Sequence, residues 1–209
     1  MTELLYLNAS PRGVAAASTQ AAELFLAALP GDVSVRRLDL FQTDLPDFTA
    51  ELASAKQKFM MGMPLDDEES RQWAVVTQLV EEFVNADSYL LGVPMWNFSV
   101  PYRLKQYIDL VTHPGLTFAR DANGMKGLAE GAGTVIYSRG GDYSPKDGQP
   151  DPFDFQSPYL KAWMGMVGIN PISEVLVQTT MAGPDAQAQS VSAVQSQLEA
   201  LAGALGSGN

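Results

Sequence analysis

The stretch YLLGVPMWNFSVPYRLKQYIDLV, residues 89–111, places a strand, a loop and a helix one after the other. Its first part, residues 89–93, is a continuous apolar run typical of a strand buried on both faces. From residue 104 to residue 111 the apolar side chains recur at helical spacing, and Pro101 suits the first turn of a helix. The loop between them, residues 94–101, carries aromatic rings at the carboxyl end of a strand, a position that suits a planar ligand.

The same alternation of strand and helix runs along the rest of the chain. Further strands are predicted near residues 1–7, 33–38, 134–137 and 175–177. Helices are predicted near residues 18–29, twice within 49–87 with Asp66 or Asp67 as a cap, and near 159–168 and 191–205. This pattern predicts one doubly wound α/β domain over residues 1–209, with a five-stranded parallel sheet of order 2-1-3-4-5 and helices on both faces.

In that strand order, the loops after strands 1, 3 and 4 meet at one edge of the sheet. The first loop offers Ser10, Arg12 and Ser18 ahead of a helix whose N-terminal amides carry partial positive charge, which suits a phosphate dianion. Ordinary turn and capping roles are the alternative for these residues. The loop lacks GxxxxGK[ST] and GxGxxG, so the fingerprints of nucleoside triphosphate and Rossmann dinucleotide binding do not apply.

The other two loops have features of a ring-binding site. The second loop carries flat side chains and one amide, in Met95, Trp96, Asn97 and Phe98, although a hydrophobic plug is the alternative. The third loop carries a glycine pair, in Ser138, Arg139, Gly140 and Gly141. Glycines let the backbone approach a ligand closely and direct N–H groups at an anion, whereas a flexible turn is the alternative.

Composition limits the classes of function. A chain of 209 residues with 46% apolar residues can bury one large core. It has no cysteine and one histidine, His113, which excludes disulfides, thiolate chemistry and a multi-histidine metal site. We expect His113 to favour the negative end of the preceding helix, with contact to a ligand as the alternative. The net charge of −11 argues against binding to nucleic acid or to an anionic membrane.

Two other segments bear on location and function. Residues 1–7 lack a basic region, and no apolar run is long enough to cross a membrane, so we expect a cytoplasmic protein. Residues 142–158 contain four prolines and several acidic residues, which is too long and irregular for an ordinary connection. We expect this segment to be a functional flap or a surface that contacts a partner.

The loops, taken in order with the segments between them, resemble one known family. The resemblance rests on NASPRG with Ser18, PMWNFSVPYRLKQYID, GLTFARDANGMKGL, SRGGDY and SPYLKAWMGMVGI, and it covers essentially the whole chain. Each piece is weak alone, but the ordered set resembles the FMN-dependent NADH:quinone oxidoreductases and azoreductases, which have a flavodoxin-like fold. The resemblance implies tightly bound FMN, NADH or NADPH as co-substrate, and a homodimer with FMN at the interface.

The resemblance also implies roles for particular residues. It assigns the phosphate loop to Ser10, Arg12, Ala16, Ala17 and Ser18, the ring contact to residues 95–98, and a second flavin loop to residues 138–141. The substrate pocket would be formed by Asn97, Phe98, Phe118 and Arg120. No side chain is expected to act as a nucleophile, because the flavin N5 carries the chemistry, and no metal is implied.

Three positions depart from the family pattern. Ala16 stands in a loop where Ser-x-Ser is common, so one phosphate hydroxyl is missing and Arg12 would compensate. Trp96 stands where tyrosine is common, which enlarges the ring platform. Arg120 stands where an aromatic residue is common, which would shift substrate preference toward anionic compounds.

Our hypothesis is hydride transfer from NADH or NADPH to FMN, followed by two-electron reduction of a quinone or azo compound in the same slot. One slot for two substrates predicts ping-pong kinetics. The alternative is a flavodoxin-type FMN electron carrier that passes single electrons to protein partners, which the acidic composition also fits. A third interpretation, a structural protein without a cofactor, predicts a colourless preparation.

Overall fold

Five parallel strands form the central sheet in the computed structural model, which describes residues 2–122 and 124–205. In chain order the strands are β1 (Thr2–Asn8), β2 (Val33–Asp39), β3 (Ser88–Pro94), β4 (Phe118–Asp121), β5 (Gly124–Gly127), β6 (Ala132–Ser138) and β7 (Ile172–Val177). Strands β4 and β5 form a separate antiparallel hairpin, and the others pair in parallel in the order β2-β1-β3-β6-β7. Counted within the main sheet this order is 2-1-3-4-5, so the predicted fold class is confirmed.

Helices cover both faces of this sheet. They are α1 (Ala17–Ala27), α2 (Ala50–Met60), α3 (Asp67–Val84), α4 (Tyr102–Val111), α5 (Ser157–Val167), α6 (Ala186–Ala193) and α7 (Gln195–Ala204). One apolar cluster, which includes Trp163, packs α2 to α5 on the first face, and a second, which includes Phe25, packs α1, α6 and α7 on the other. Every residue of the central strand β3 is buried, which explains its continuous apolar sequence. Within the described helices, none is both long and apolar enough to cross a membrane.

The predicted terminal helix over residues 191–205 is instead two helices, α6 and α7, that meet at Val194. The apolar spacing continues across the break because Val191, Val194 and Leu198 all pack into the same cluster. A periodic pattern therefore reports which face is buried, but it does not report a local break in the helix axis.

The hairpin of β4 and β5 is not predicted from the sequence, because its strands are short and alternate only weakly. Its base crosses the end of α5, where a Cβ on Gly127 would come within 2.1 Å of the backbone nitrogen of Gly168. The N–H of Ala129 also donates to the carbonyl oxygen of Val167 at 2.9 Å. Helices of a parallel α/β sheet run back from its carboxyl edge to its amino edge, so the hairpin starts at the amino edge.

Candidate functional site

The first loop follows β1 and is organised by Asn8, a fully buried residue. Asn8 Oδ1 accepts hydrogen bonds from the N–H of Ser10 and from Oγ1 of Thr19, both at 3.2 Å, and its Nδ2 donates to Asp39 at 3.0 Å. Ser10 Oγ in turn accepts from the N–H of Arg12 at 3.2 Å. These bonds hold the loop against the start of α1.

The N-terminus of α1 is open. Its N-cap residue, Ala16, provides no side-chain cap, and the first turn contains no acidic residue. Within residues 2–122 and 124–205, nothing accepts a hydrogen bond from the N–H groups of Ala17, Ser18 or Thr19, and the buried Oγ of Ser18 also has no partner there. Free amides at the start of a helix carry partial positive charge, so a phosphate group fits this end of α1.

The second loop begins with a tight turn at the end of β3. Trp96 and Ser99 exchange backbone hydrogen bonds of 2.9 and 3.0 Å, and the residues between them, Asn97 and Phe98, have positive φ angles of 47° and 70°. Two consecutive positive φ angles are the pattern of a type I′ turn, a strained conformation for residues other than glycine. The turn fixes the position of Trp96, whose side chain is about half exposed.

The third loop, after β6, is joined by the loop that follows β7. The N–H of Met95 donates to the carbonyl oxygen of Ser138 at 2.7 Å, which ties the second loop to the third. The N–H groups of Gly140 and Gly141 donate to no residue in the described part of the chain. A Cβ on Gly140 would come within 2.9 Å of the sulfur of Met181, which shows that the two loops lie in contact at this position.

These loops enclose a cavity of about 180 Å³ at the carboxyl edge of the sheet. Most of the predicted cofactor residues line it, namely Ser10, Arg12, Ala16, Ala17, Met95, Trp96, Ser138 and Gly140. Pro94 also lines it, as do three residues that the sequence did not predict, Thr180, Met181 and Gln187. The predicted strand order already placed the loop after β7 beside the loop after β6, so that loop could have been included; nothing in the sequence marks Gln187.

The remaining contacts predicted for the second and third loops lie beside this cavity. Asn97 lines a neighbouring cavity of about 420 Å³ whose walls include aromatic rings, and Trp96 lines both cavities. Phe98 and Gly141 instead adjoin the loop of residues 142–156, through the rings of Phe153 and Tyr143.

The side chain of Arg139 lies away from the cavity that the other predicted cofactor residues line. It is 2% exposed, and its guanidinium donates to Gln156 Oε1 (3.0 Å), Asp154 Oδ2 (2.9 Å) and Gln178 Oε1 (3.4 Å). The backbone of Arg139 belongs to the third loop, but its guanidinium is paired with buried groups of the protein and does not face the cavity.

Phe118 and Arg120 are predicted to line the substrate pocket, but they do not line this cavity within the same chain. Both lie on β4, whose hairpin starts at the opposite edge of the sheet, and neither lines either of the two cavities. Arg120 is exposed. A prediction that does not include the hairpin cannot show this separation.

His113 lies in the core and not at the cavity. Its Nε2–H donates to the carbonyl oxygen of Leu110 at 2.7 Å, and its ring meets Trp73 edge-on at 4.9 Å. Burial, reinforced by the charge of Lys56, lowers the pKa of His113 to about 4, so the imidazole is neutral at pH 7. The expected interaction of His113 with the end of α4 is therefore present as a hydrogen bond to Leu110 in its last turn, made by a neutral ring. Among the described residues, no cluster of His, Cys, Asp and Glu is arranged to hold a metal ion.

The strand order, the helices on both faces and the cavity at the carboxyl edge define the class, an α/β protein of flavodoxin-like fold. A family model described as flavodoxin-like fold matches residues 2–202. The crystal structure of an azoreductase from Bacillus anthracis has a TM-score of 0.85 to this chain at 27% identity, covering 97% of this chain and 99% of that one.

Relatives in sequence define the family more narrowly. An FMN-dependent NADH:quinone oxidoreductase of Nitratidesulfovibrio vulgaris is 43% identical over 202 residues, covering 93% of this chain and 96% of that protein. FMN-dependent NADH:quinone oxidoreductase 3 of Pseudomonas fluorescens is 39% identical over 208 residues, covering 97% and 96%. The chain belongs to the flavodoxin-like family of these oxidoreductases, which confirms the resemblance found in its sequence.

Proposed function

We propose that this protein is an FMN-dependent oxidoreductase that uses NADH or NADPH to reduce quinones and azo compounds by two electrons. The observation that carries the proposal is the meeting, around one cavity, of an open helix N-terminus, an aromatic turn and a loop whose glycine N–H groups have no acceptor in the described part of the chain. The names of the relatives, FMN-dependent NADH:quinone oxidoreductases, and of the structural neighbour, an azoreductase, support the same activity.

The residues present fit FMN. Ser10, Arg12 and the free amides at the start of α1 would hold the phosphate, whose negative charge the open helix end favours. The ring of Trp96 would face the isoalloxazine, and the N–H groups of Gly140 and Gly141 would donate to its electron-accepting edge.

Bound FMN would supply the redox chemistry, which is the transfer of two electrons from a reduced nicotinamide to the acceptor. The chain contributes binding, alignment and the exclusion of water. His113 is neutral and buried away from the cavity, so we assign it no part in proton transfer. A single stacking position that serves both substrates in turn gives ping-pong kinetics.

Two measurements test this proposal. The protein purified under conditions that preserve bound flavin should be yellow and should release FMN, identified by mass; a colourless protein that binds no added FMN would overturn the proposal. Double-reciprocal plots of NADH against a quinone should give parallel lines, and intersecting lines would overturn the ping-pong order. A carrier that exchanges single electrons with proteins, the alternative function, would turn over neither quinone nor azo dye with NADH.

We also propose that the protein acts as a homodimer in the cytoplasm. The hairpin of β4 and β5 carries Arg120 away from the cavity of its own chain, so this residue would contribute to a site only in a second subunit. Sedimentation should give twice the mass of one chain. In mixtures of the Arg120→Ala variant with a chain inactivated at the cavity, a change in KM for anionic acceptors would show that the hairpin acts across subunits. A monomer at micromolar concentration would contradict the proposal.

A further inference from the structure

Arg139 is a buried cation at the carboxyl end of β6 whose role the proposed flavin site leaves open. Its partner Asp154 is also largely buried, since the two side chains are 2% and 11% exposed, and the ion pair is 2.9 Å long. A buried arginine with this many fixed donors is expensive to desolvate, so it is retained only where its partners satisfy it. What those partners hold in place therefore indicates what Arg139 does.

These hydrogen-bond partners hold the loop of residues 142–156, which is the part of the predicted flap of residues 142–158 that precedes α5 and which we call the flap. Asp154 and Gln156 lie within the C-terminal part of the flap, and Gln156 Nε2 also donates to the carbonyl oxygen of Val93 at 3.1 Å. Gln178, at the end of β7, accepts from the N–H of Tyr143 at 3.0 Å and so fixes the start of the flap. Arg139 thus connects both ends of the flap to the sheet.

Asp154 is held in its ionised form. It accepts hydrogen bonds from the N–H of Gln156 (3.1 Å) and from the N–H and hydroxyl of Ser157 (3.0 and 2.5 Å). Burial alone would raise the pKa of Asp154, but the bonds from Ser157 and the charge of Arg139 outweigh it, and the pKa is lowered. The pair is therefore intact at neutral pH.

The flap places aromatic rings beside the turn of the second loop. Phe153 lies 5.1 Å from the ring of Phe98, and Tyr143 lies 6.3 Å from it. The N–H of Phe155 donates to the carbonyl oxygen of Phe98 at 3.1 Å. Phe98 and Phe153 remain 43% and 54% exposed, so this cluster offers an apolar surface to a ligand as well as packing on itself.

We propose that Arg139 is a positioning residue that tethers the flap, and that the tethered rings of Phe98, Tyr143 and Phe153 form the wall against which a planar acceptor packs. The acceptor class is flat and largely apolar, as a quinone with a hydrophobic substituent is, because the three rings offer area and few polar groups. This inference rests on the proposed function for the identity of the ligand. The tether itself is a property of the free chain and can be tested without turnover.

The first test is hydrogen exchange on the full-length protein. Asp154→Asn keeps the shape of the side chain and removes its charge, which leaves Arg139 buried without a counter-ion. The amides of Tyr143 and Phe155 should exchange about tenfold faster or more, while those of β3 are unchanged. The control is Asp109→Asn, which removes the acid of an exposed ion pair with Lys105. Unchanged exchange in the flap, or an equal rise throughout the chain, would overturn the tether.

The second test is steady-state kinetics of the FMN-loaded enzyme. For Asp154→Asn and Phe153→Ala, KM for a hydrophobic quinone should rise about fivefold or more, with kcat and FMN affinity within about twofold of the parent. Arg139→Lys should recover part of the effect of Arg139→Met, because it restores the charge but not the planar set of donors. A fall in FMN affinity with unchanged quinone KM would overturn the wall. If the parent enzyme reduced no quinone, the proposed function and the wall would both fail, while the exchange result would still decide the tether.

Discussion

Two helix N-termini in this molecule differ in how the free N–H groups of their first turns are treated. The start of α3 is closed by its own side chains: Asp66 accepts from the N–H groups of Glu68 and Glu69, and Glu69 accepts from the N–H of Asp66. Lys58, with the backbone of Asp66 and the hydroxyl of Ser54, lowers the pKa of Glu69 to about 2. The start of α1 has an alanine as its N-cap and no acid in its first turn.

The difference shows which helix end is structural and which is kept for a ligand. A capping box supplies the negative charge that a helix N-terminus favours, so α3 needs nothing from outside. At α1 the corresponding N–H groups have no acceptor among the described residues and lie next to a cavity, and a carboxylate cap there would compete with a phosphate for the same amides. Variants that close the open end, remove a side chain beside it or open the closed end test this difference.

The largest effect is expected from closing the open end with Ala16→Asp. The new carboxylate would cap α1 and repel the phosphate, so FMN affinity should fall by at least about 100-fold, since close like charges cost several kcal/mol. The free energy of unfolding without FMN should rise by about 1 kcal/mol. Ala16→Asn is the matched control because it caps α1 without adding charge. Fluorescence titration with FMN measures the affinity of both variants, and urea titration without FMN measures their free energy of unfolding. Equal affinities for the two variants would show that charge at this end is unimportant.

A smaller loss is expected from Ser10→Ala. A hydrogen bond to a charged group contributes about 1.5 to 3 kcal/mol, so removing the hydroxyl should weaken FMN binding by roughly ten- to a hundredfold. Ser70→Ala, which removes an exposed serine of α3, should leave the affinity unchanged. Unaltered FMN affinity in a folded Ser10→Ala protein would remove this hydroxyl from the phosphate site.

Opening the closed end should affect stability and not binding. Asp66→Ala removes the acceptor for two N–H groups of α3 and should lower the free energy of unfolding by about 1 kcal/mol, measured by urea titration. FMN affinity should stay as it is, because the cavity is lined by other loops. A parallel loss of FMN binding would mean that the two helix ends are coupled.

The smallest effect is expected from Ala16→Ser, which adds a neutral donor at the open end. FMN should bind about threefold more tightly if the new hydroxyl reaches the phosphate, equivalent to roughly 0.7 kcal/mol. An unchanged dissociation constant would indicate that Arg12 and the backbone already satisfy the phosphate. Ala27→Ser, at the other end of the same helix, is the control for a general effect of serine in α1.

The centre of the sheet could be predicted from sequence because β1, β3 and β6 are buried over most of their length and contain continuous apolar runs. The same reasoning fails for the hairpin, whose strands are held by one another and by the crossing of Gly127 with Gly168. That contact joins residues far apart in the chain, and the sequence around either glycine does not predict it. The break at Val194 is likewise invisible to a pattern that records only burial.

The site was predictable where strand order alone decides which loops meet. Ser10, Trp96 and Gly140 come together because β1, β3 and β6 are neighbours. The side chain of Arg139 lies away from the cavity because it forms an ion pair with Asp154 in the flap. The residue types predict neither this ion pair nor the position of Met181 at the cavity. Both depend on the way in which the long loops fold back onto the sheet.

The turn at Asn97 and Phe98 has one more consequence. Each residue with positive φ costs of order 1–3 kcal/mol, and this cost is met when the chain folds. The backbone that carries Trp96 therefore loses little further freedom when a ligand binds, and more of the contact energy remains as affinity. The strained turn lowers the stability of the free protein but keeps the binding surface rigid. Variants selected only for a higher melting temperature would therefore tend to relax this turn and make the site less rigid.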